Sequence, residues 1–278
     1  MKFADWMTVP DQNAVAAGFR LARECVGLVV AGHWPVAWLS GPGGIGKTVV
    51  TKNAIAEWKA KSLEPVFANP ANARELLAAL KTAKGKRPVI MEEADTIFRS
   101  DKCLNILKIA TDRRGTGIYD GIRVTAPLII ATNAPLHDLT VWDKKLRPHI
   151  EALFNRVSPV TISFDRRENW EYACYLGLST DMLRWTPKGQ TISAVTTVRA
   201  LSWFTENMND IELLSARTLC NVAEWMTILS PDALESKLNS VCRPANSNRL
   251  PIPFIDWQTV VAEMIDVRRS MREAARAA

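Results

Sequence analysis

The chain has 278 residues, 47% of them hydrophobic and 23% charged, which excludes a disordered, collagen-like or disulfide-scaffold chain. Lys and Arg number 35 against 29 Asp and Glu, and residues 1–165 hold 22 of the former and 16 of the latter, so the whole +6 excess lies there. An anionic partner is expected to meet that part of the chain.

From Asn13 to about Val30, apolar residues such as Val15, Phe19, Ala22, Cys25 and Val29 recur at helical spacing and predict an amphipathic helix. After a turn at Gly32 and Pro35, the run Val36–Leu39 reads as a buried strand feeding a glycine loop, and Lys47 to about Trp58 as a helix. Strands are predicted at 65–68, 88–91, 128–131 and 160–164, with helices at 71–84 and 104–111 between them. Strands alternating with helices imply parallel pairing, because each crossover needs a helix to return the chain. Beyond Asp165 the strand signal ends, and helices are predicted at 167–176, 191–207, 215–229 and 257–276. The Pro-rich stretch 243–253 reads as an extended connection. The expected layout is an α/β core with a five-stranded parallel sheet over residues 1–165, followed by a small helical domain over 166–278.

Five cysteines, odd in number and without a close-spaced pair, argue for reduced thiols rather than disulfides or a zinc site. No apolar run is long enough to span a bilayer, and the segment MKFADWMTVP has no signal-type apolar core. A cytoplasmic protein without membrane contact is expected.

Residues 41–48, GPGGIGKT, match the G-x-x-x-x-G-K-[ST] phosphate loop in full. Gly41, Gly43, Gly44, Ile45 and Gly46 allow backbone N–H groups to turn inward as an anion nest, and the following helix points its positive end at the phosphates. Lys47 is expected to reach the β- and γ-phosphates and the Thr48 hydroxyl to hold Mg²⁺. Some 45 residues on, Val89–Met91 runs into Glu92, Glu93 and Asp95. A nucleotidase needs one carboxylate at such a strand end for the metal and one to orient water. Glu92 suits the first role and Glu93 the second, with Asp95 either a further candidate or a helix cap. The strand 128–131 ends in Thr132-Asn133, whose amide suits a γ-phosphate or the lytic water, or a turn before Pro135.

The succession GPGGIGKT, VIMEEAD, LIIATN and EALFNRV resembles the AAA+ ATPases over roughly residues 13–165, and LLSARTL (213–219) resembles the sensor 2 helix of their lid. The segment 98–115 is also similar to phage- and mobile-element-encoded members of that group. The resemblance implies ATP and Mg²⁺ as ligands, with Lys47 and Thr48 in Walker A and Glu93 as catalytic base. It further implies Asn133 as sensor 1, Arg156 as an arginine finger serving a neighbouring subunit, and Arg217 as sensor 2; Arg113 and Arg114 compete for the finger role. It implies a homo-oligomeric ring or filament that acts on DNA in replication, helicase loading or transposition, with a protein of one of those processes as partner. One departure stands out. The family's Asp before the catalytic Glu is Glu92 here, one methylene longer, which leaves a slow ATPase or an ATP-gated scaffold open.

The segments 81–87 (Lys81, Lys84, Lys86, Arg87) and 99–123 (Lys102, Lys108, Arg113, Arg114, Arg123) suit phosphate contact that ignores base sequence, or a solvated surface. Lys144, Lys145 and Arg147 add a third basic cluster. A loop carrying Ile118 and Tyr119 suits gripping a polypeptide, the alternative function of protein remodelling. Of ten tryptophans, Trp170, Trp203, Trp225 and Trp257 read as core, and Trp6 and Trp142 as candidate contact residues.

Overall fold

The computed structural model describes residues 2–112, 117–136, 138, 142–243 and 249–277. Arg113 and Arg114 lie outside the described residues. The chain forms two compact units, an α/β unit of residues 18–42 and 46–163 and a helical unit of residues 1–17, 43–45 and 164–278. In chain order the elements are α1 (Phe3–Met7), α2 (Val9–Gln12), α3 (Ala14–Val30), β1 (Val36–Ser40), α4 (Lys47–Ala60), β2 (Val66–Ala68), α5 (Ala73–Ala83) and β3 (Val89–Met91). A 3₁₀ turn at Ala94–Arg99 leads to α6 (Asp101–Ala110), a hairpin of β4 (Ile118–Tyr119) and β5 (Ile122–Arg123), β6 (Leu128–Thr132), α7 (Arg147–Phe154) and β7 (Val160–Thr161). The helical unit continues with α8 (Arg166–Ser179), a 3₁₀ turn at Asp181–Leu183, α9 (Ala194–Glu206), α10 (Ala216–Ile228), α11 (Pro231–Ser240) and α12 (Trp257–Ala277).

The five strands expected from the apolar runs form one parallel sheet in the order β2-β3-β6-β1-β7. Central strands β1 and β6 are buried along their whole length, as continuous apolar runs in a parallel sheet should be. Alternation then sorts residues between faces. Val36, Trp38, Val89, Met91, Leu128 and Ile130 join one core cluster with Leu76 and Leu80 of α5 and Leu104 and Leu107 of α6. Trp38 anchors it, with ring centroids 5.8 Å from Phe98 and 6.3 Å from Phe154.

The loop carrying Ile118 and Tyr119 forms the β4–β5 hairpin, turned by Asp120 and Gly121, both at positive φ. Helices α2, α7 and α11 were not expected from the sequence pattern. Each carries Pro in its first turn, where the missing N–H costs nothing. Helix α11 also has no fully buried residue, and its apolar pair Leu234 and Leu238 is only half-buried.

In the helical unit, Trp6 of α1 packs between Trp170 and Trp257, at centroid distances of 5.7 and 5.1 Å. Thr205 Oγ1 accepts from both Trp170 Nε1 (3.3 Å) and Trp257 Nε1 (3.2 Å). Trp6 is fully buried and Trp142 is 8% exposed, so neither is the contact residue expected from its polar sequence neighbours. Flanking polarity misled because both sit on short or irregular segments without apolar period. Residues up to Ala17 pack within this helical unit, through Phe3 and Trp6, whereas the sequence boundary at 165 grouped them with the α/β part. Asp165, Ser193 and Ser215 cap α8, α9 and α10 by accepting from the amides of Glu168, Thr196 and Thr218. Among the described residues no helix is long and apolar enough to cross a membrane.

Candidate functional site

Register brings three strand ends together. Ser40 pairs with Thr132 and Met91 with Ile130, so Gly41, Glu92 and Asn133 all leave the sheet at its carboxyl edge. That edge is where open α/β sheets bind ligands, because the loops there diverge from the strands and leave a crevice. The Gly41 amide still bonds Thr132 O (3.3 Å), and Ser40 Oγ donates to Ala134 O (2.6 Å), which pins the phosphate loop to the turn after β6.

The loop's glycines are required for two different reasons. Gly44 and Gly46 adopt φ of +72° and +112°, a region that side chains disfavour, and Gly46 is the residue just before α4. Gly41 is crowded instead: a Cβ there would sit 3.0 Å from Ile162 Cβ. Gly43, Gly44 and Ile45 belong to the helical unit, and a Cβ on Gly44 would lie 2.9 Å from Ser215 Oγ and 3.4 Å from Arg217 Cβ. Ile45 is buried.

Lys47, the first residue of α4, is 8% exposed. Its ammonium donates to Gly41 O (2.7 Å), Pro42 O (2.8 Å) and Asn133 Oδ1 (2.8 Å). Three acceptors for three donors match the capacity of an ammonium group, so the burial of this charge is compensated. Asn133 is itself held. The Asp95 carboxylate accepts from the Asn133 amide (2.7 Å), the Ala134 amide (3.3 Å) and Thr132 Oγ1, and Asn133 Nδ2 lies 3.4 Å from Asp95 Oδ2. Asp95 thus ties the turn after β3 to the end of β6, a contact between strands that no sequence spacing reveals.

Glu92 is half-buried, and its Oε1 accepts from Thr51 Oγ1 (3.1 Å). Thr51 is fully buried on α4, three residues after Thr48 and hence on the same helix face. The Glu92 carboxylate is therefore brought to the first turn of α4, where Thr48 is exposed. Thr51 was legible in the sequence only as a hydroxyl one turn beyond the loop, and reading the motif as ending at Thr48 missed it. Glu93 is exposed and left-handed, with φ +55°, a strained conformation for a residue with a side chain. The Asn69 carboxamide, with its nitrogen toward β3, donates to the carbonyls of Glu92 (3.2 Å) and Glu93 (3.3 Å) and so braces that turn. Asn69 follows β2, the neighbour of β3, and was another residue that only strand pairing could find.

Arg156 is exposed in the turn between α7 and β7, and Arg217 is the exposed second residue of α10. Of the sequence-selected residues, Lys47 and Asn133 are joined directly and Glu92 is joined to α4 through Thr51. Among the described residues no cluster of three or more His, Cys, Asp or Glu side chains forms a metal centre. A cleft of about 650 Å³ opens beside Asp95 and Asn133, walled by Arg99, Pro135, Trp142 and Leu146.

No protein-family model matches the chain, and no curated protein sequence does. Solved structures of similar architecture include the replication initiator DnaA bound to AMPPCP and single-stranded DNA, at 14% identity and TM-score 0.47 over 80% of this chain and 65% of that one. The chain therefore spans just under two thirds of that DnaA chain. The Thermotoga maritima RuvB Holliday junction branch migration motor is similar at 15% identity and TM-score 0.44, over 91% of this chain and 68% of its own. Domain III of the Thermotoga maritima replication initiation protein DnaA is similar at 13% identity and TM-score 0.47, over 82% and 93%.

Proposed function

We propose that the chain is an ATPase of the AAA+ type that binds ATP with Mg²⁺ between subunits of a homo-oligomeric ring or filament and couples hydrolysis to work on DNA. One observation carries the reading. Lys47 of a complete phosphate loop bonds Asn133, and Asp95 holds Asn133 at the strand end beside paired acids. A solvated acidic turn and an incidental glycine loop would have no reason to share this network.

In this reading the loop amides and the Lys47 ammonium grip the phosphates. Thr48 and Glu92 would hold Mg²⁺, which would supply neutralisation of phosphate charge as it develops. A hard cation that keeps several waters needs only one or two protein oxygens, so a hydroxyl and a carboxylate are a fitting donor set. The bond from Thr51 to Glu92 Oε1 leaves Oε2 for that purpose. Glu93 takes the proton of the attacking water, from a turn whose backbone is left-handed and braced by Asn69. Asn133 orients the water or the γ-phosphate, Arg156 of one subunit stabilises charge in the next, and Arg217 takes the sensor 2 role.

The DNA part rests on the basic surface. A Cβ on Gly85 would meet Arg123 Nε at 2.9 Å, so Arg123 lies against the turn that carries Lys84, Lys86 and Arg87 in the α/β unit. That supports one phosphate-contacting face, engaged in replication, helicase loading or transposition of a phage or mobile element with a protein of that process. Tyr119 is half-buried against the core, which weighs against a polypeptide-gripping loop.

The test is ATP turnover with and without DNA, alongside particle size. Lys47→Ala should abolish binding of a fluorescent ATP analogue. Glu93→Gln should keep binding and lose about 10²- to 10⁴-fold in turnover, the usual contribution of a positioned base. Wild-type turnover no faster than that of Glu93→Gln would replace hydrolysis with ATP-gated assembly. Mixing Lys47→Ala with Arg156→Ala subunits should restore part of the activity; no recovery at any ratio removes Arg156 from a role in trans.

A further inference from the structure

Residues 166–278 carry 13 basic and 13 acidic side chains, and this neutral sum conceals a segregation. Along α12, Ile265, Arg268, Arg269, Arg272 and Arg276 recur at spacings of three and four and share one side of the helix. They wall a groove of about 460 Å³ whose other side is the 3₁₀ turn with Arg184 and the segment Ile192–Ala194. The floor is apolar: Leu183, Ile192 and Met264 line it at 5%, 7% and 6% exposure, and Ile265 adds a 41% exposed side chain.

Three of the five arginines have structural work. Arg268 donates to Leu178 O (2.8 Å) and Thr180 O (2.6 Å), which locks α12 onto the end of α8. Arg184 stands over the half-exposed Trp185 ring at 5.1 Å, and Arg269 pairs with Asp266 at 2.7 Å. Asp181 lies 3.7 Å from Arg184 and 3.8 Å from Arg268. Burial first, and then the like charges of Arg184 and Arg272, lower the Arg268 pKa against the pull of Asp181, which shows how closely the cations gather. Arg272 and Arg276 are exposed, and among the described residues neither has an ion-pair or hydrogen-bond partner. Two uncommitted guanidinium groups above an apolar floor suit a ligand that supplies both anions and apolar surface.

We infer that this groove docks an acidic peptide, whose apolar side chains lie on Leu183, Ile192, Met264 and Ile265 and whose carboxylates pair with Arg272 and Arg276. A continuous phosphate backbone would leave the floor wet and would run against Glu273 on the rim, whereas a peptide with spaced carboxylates leaves Glu273 in water. The groove lies wholly within the helical unit, so the inference does not rest on the nucleotide reading.

The experiment is fluorescence anisotropy on the full chain. One probe is a labelled peptide alternating Asp with Ile or Phe; the comparisons are an all-Asp peptide of equal charge and an oligothymidylate competitor. The alternating peptide should bind saturably, and Arg272→Ala/Arg276→Ala should weaken it about tenfold, the loss expected for two partly exposed ion pairs. Ile265→Ser should weaken the alternating peptide and leave the all-Asp peptide unchanged. Both substitutions are at exposed positions, and circular dichroism checks that the fold is retained. Equal affinity of wild type and the double variant, equal binding of the two peptides, or displacement by oligothymidylate at lower concentration than by unlabelled peptide would each overturn the inference.

Discussion

Asp95 shows how one side chain organises a site from outside the recognised motifs. It holds the Asn133 and Ala134 amides and Thr132 Oγ1, and Asn133 passes that constraint to Lys47. Asp95→Ala should destabilise the chain by about 1–3 kcal/mol, because several donors lose one acceptor together. In the ATPase reading it should also lower turnover while nucleotide affinity changes little, since Lys47 and the loop are intact. Urea unfolding and steady-state kinetics check both, and an unchanged unfolding midpoint would remove Asp95 from this role. Cys220 makes a prediction of a different kind. Burial first, and the nearby Glu224 second, push its thiol from 9.0 up to about 11. A raised thiol pKa means that the folded chain keeps its proton where the unfolded chain has lost it. The associated stability is present below pH 9.0 and declines as pH rises toward about 11. Cys220→Ala should therefore flatten the alkaline fall in unfolding free energy over the range from pH 9.0 to about 11, once the constant offset between the proteins is subtracted. Parallel curves would contradict it.

At the scale of elements, strand and helix identity followed from periodicity for the sheet strands and for the longer helices that bury a face. The continuous apolar runs of β1, β3 and β6 and the helical spacing in α3, α5 and α6 were readable for that reason. Helix α11 offers only the half-buried pair Leu234 and Leu238 and α1 spans only five residues, so both gave a weak period to read. The junction of α8, α9 and α12 depends on a shared hydroxyl: Thr205 accepts from two buried indoles and donates to Leu201 O (2.7 Å). Thr205→Val keeps the shape and orphans both indole N–H groups, each at a cost of about 1–3 kcal/mol. A lower urea midpoint with an unchanged slope is the expected result. A midpoint within error of wild type would mean that the indoles find other acceptors.

For the whole molecule, charge placement separates into two surfaces that the net charge of +6 does not distinguish. The basic stretch 81–87 and Arg123 adjoin in the α/β unit, and the arginines of α12 line a groove in the helical unit. Replacing Lys81, Lys84 and Lys86 by Ala should weaken binding to all DNA sequences alike. The slope of log affinity against log salt should become shallower by about 0.9 for each duplex phosphate that the variant no longer neutralises. Titration of a labelled duplex at several salt concentrations measures this, and an unchanged slope would place DNA elsewhere.

The amino-acid sequence by itself determined the phosphate loop, the five sheet strands with the longer helices between and after them, and the acids and amide that close β3 and β6. Each of these is local, a matter of which residues follow one another and at what period. Tertiary structure decided that Asp95 and Lys47 together hold Asn133, that Thr51 and Asn69 support the two glutamates, and that Trp6 is core. It also decided that a neutral half of the chain carries an arginine-walled groove. These depend on strand pairing and on helix faces meeting across long stretches of sequence, as for Thr96 with Pro70 and Arg268 with Thr180. Hydrogen bonds and packing act over a few ångströms whatever the separation along the chain, so only the folded backbone reveals which groups they join.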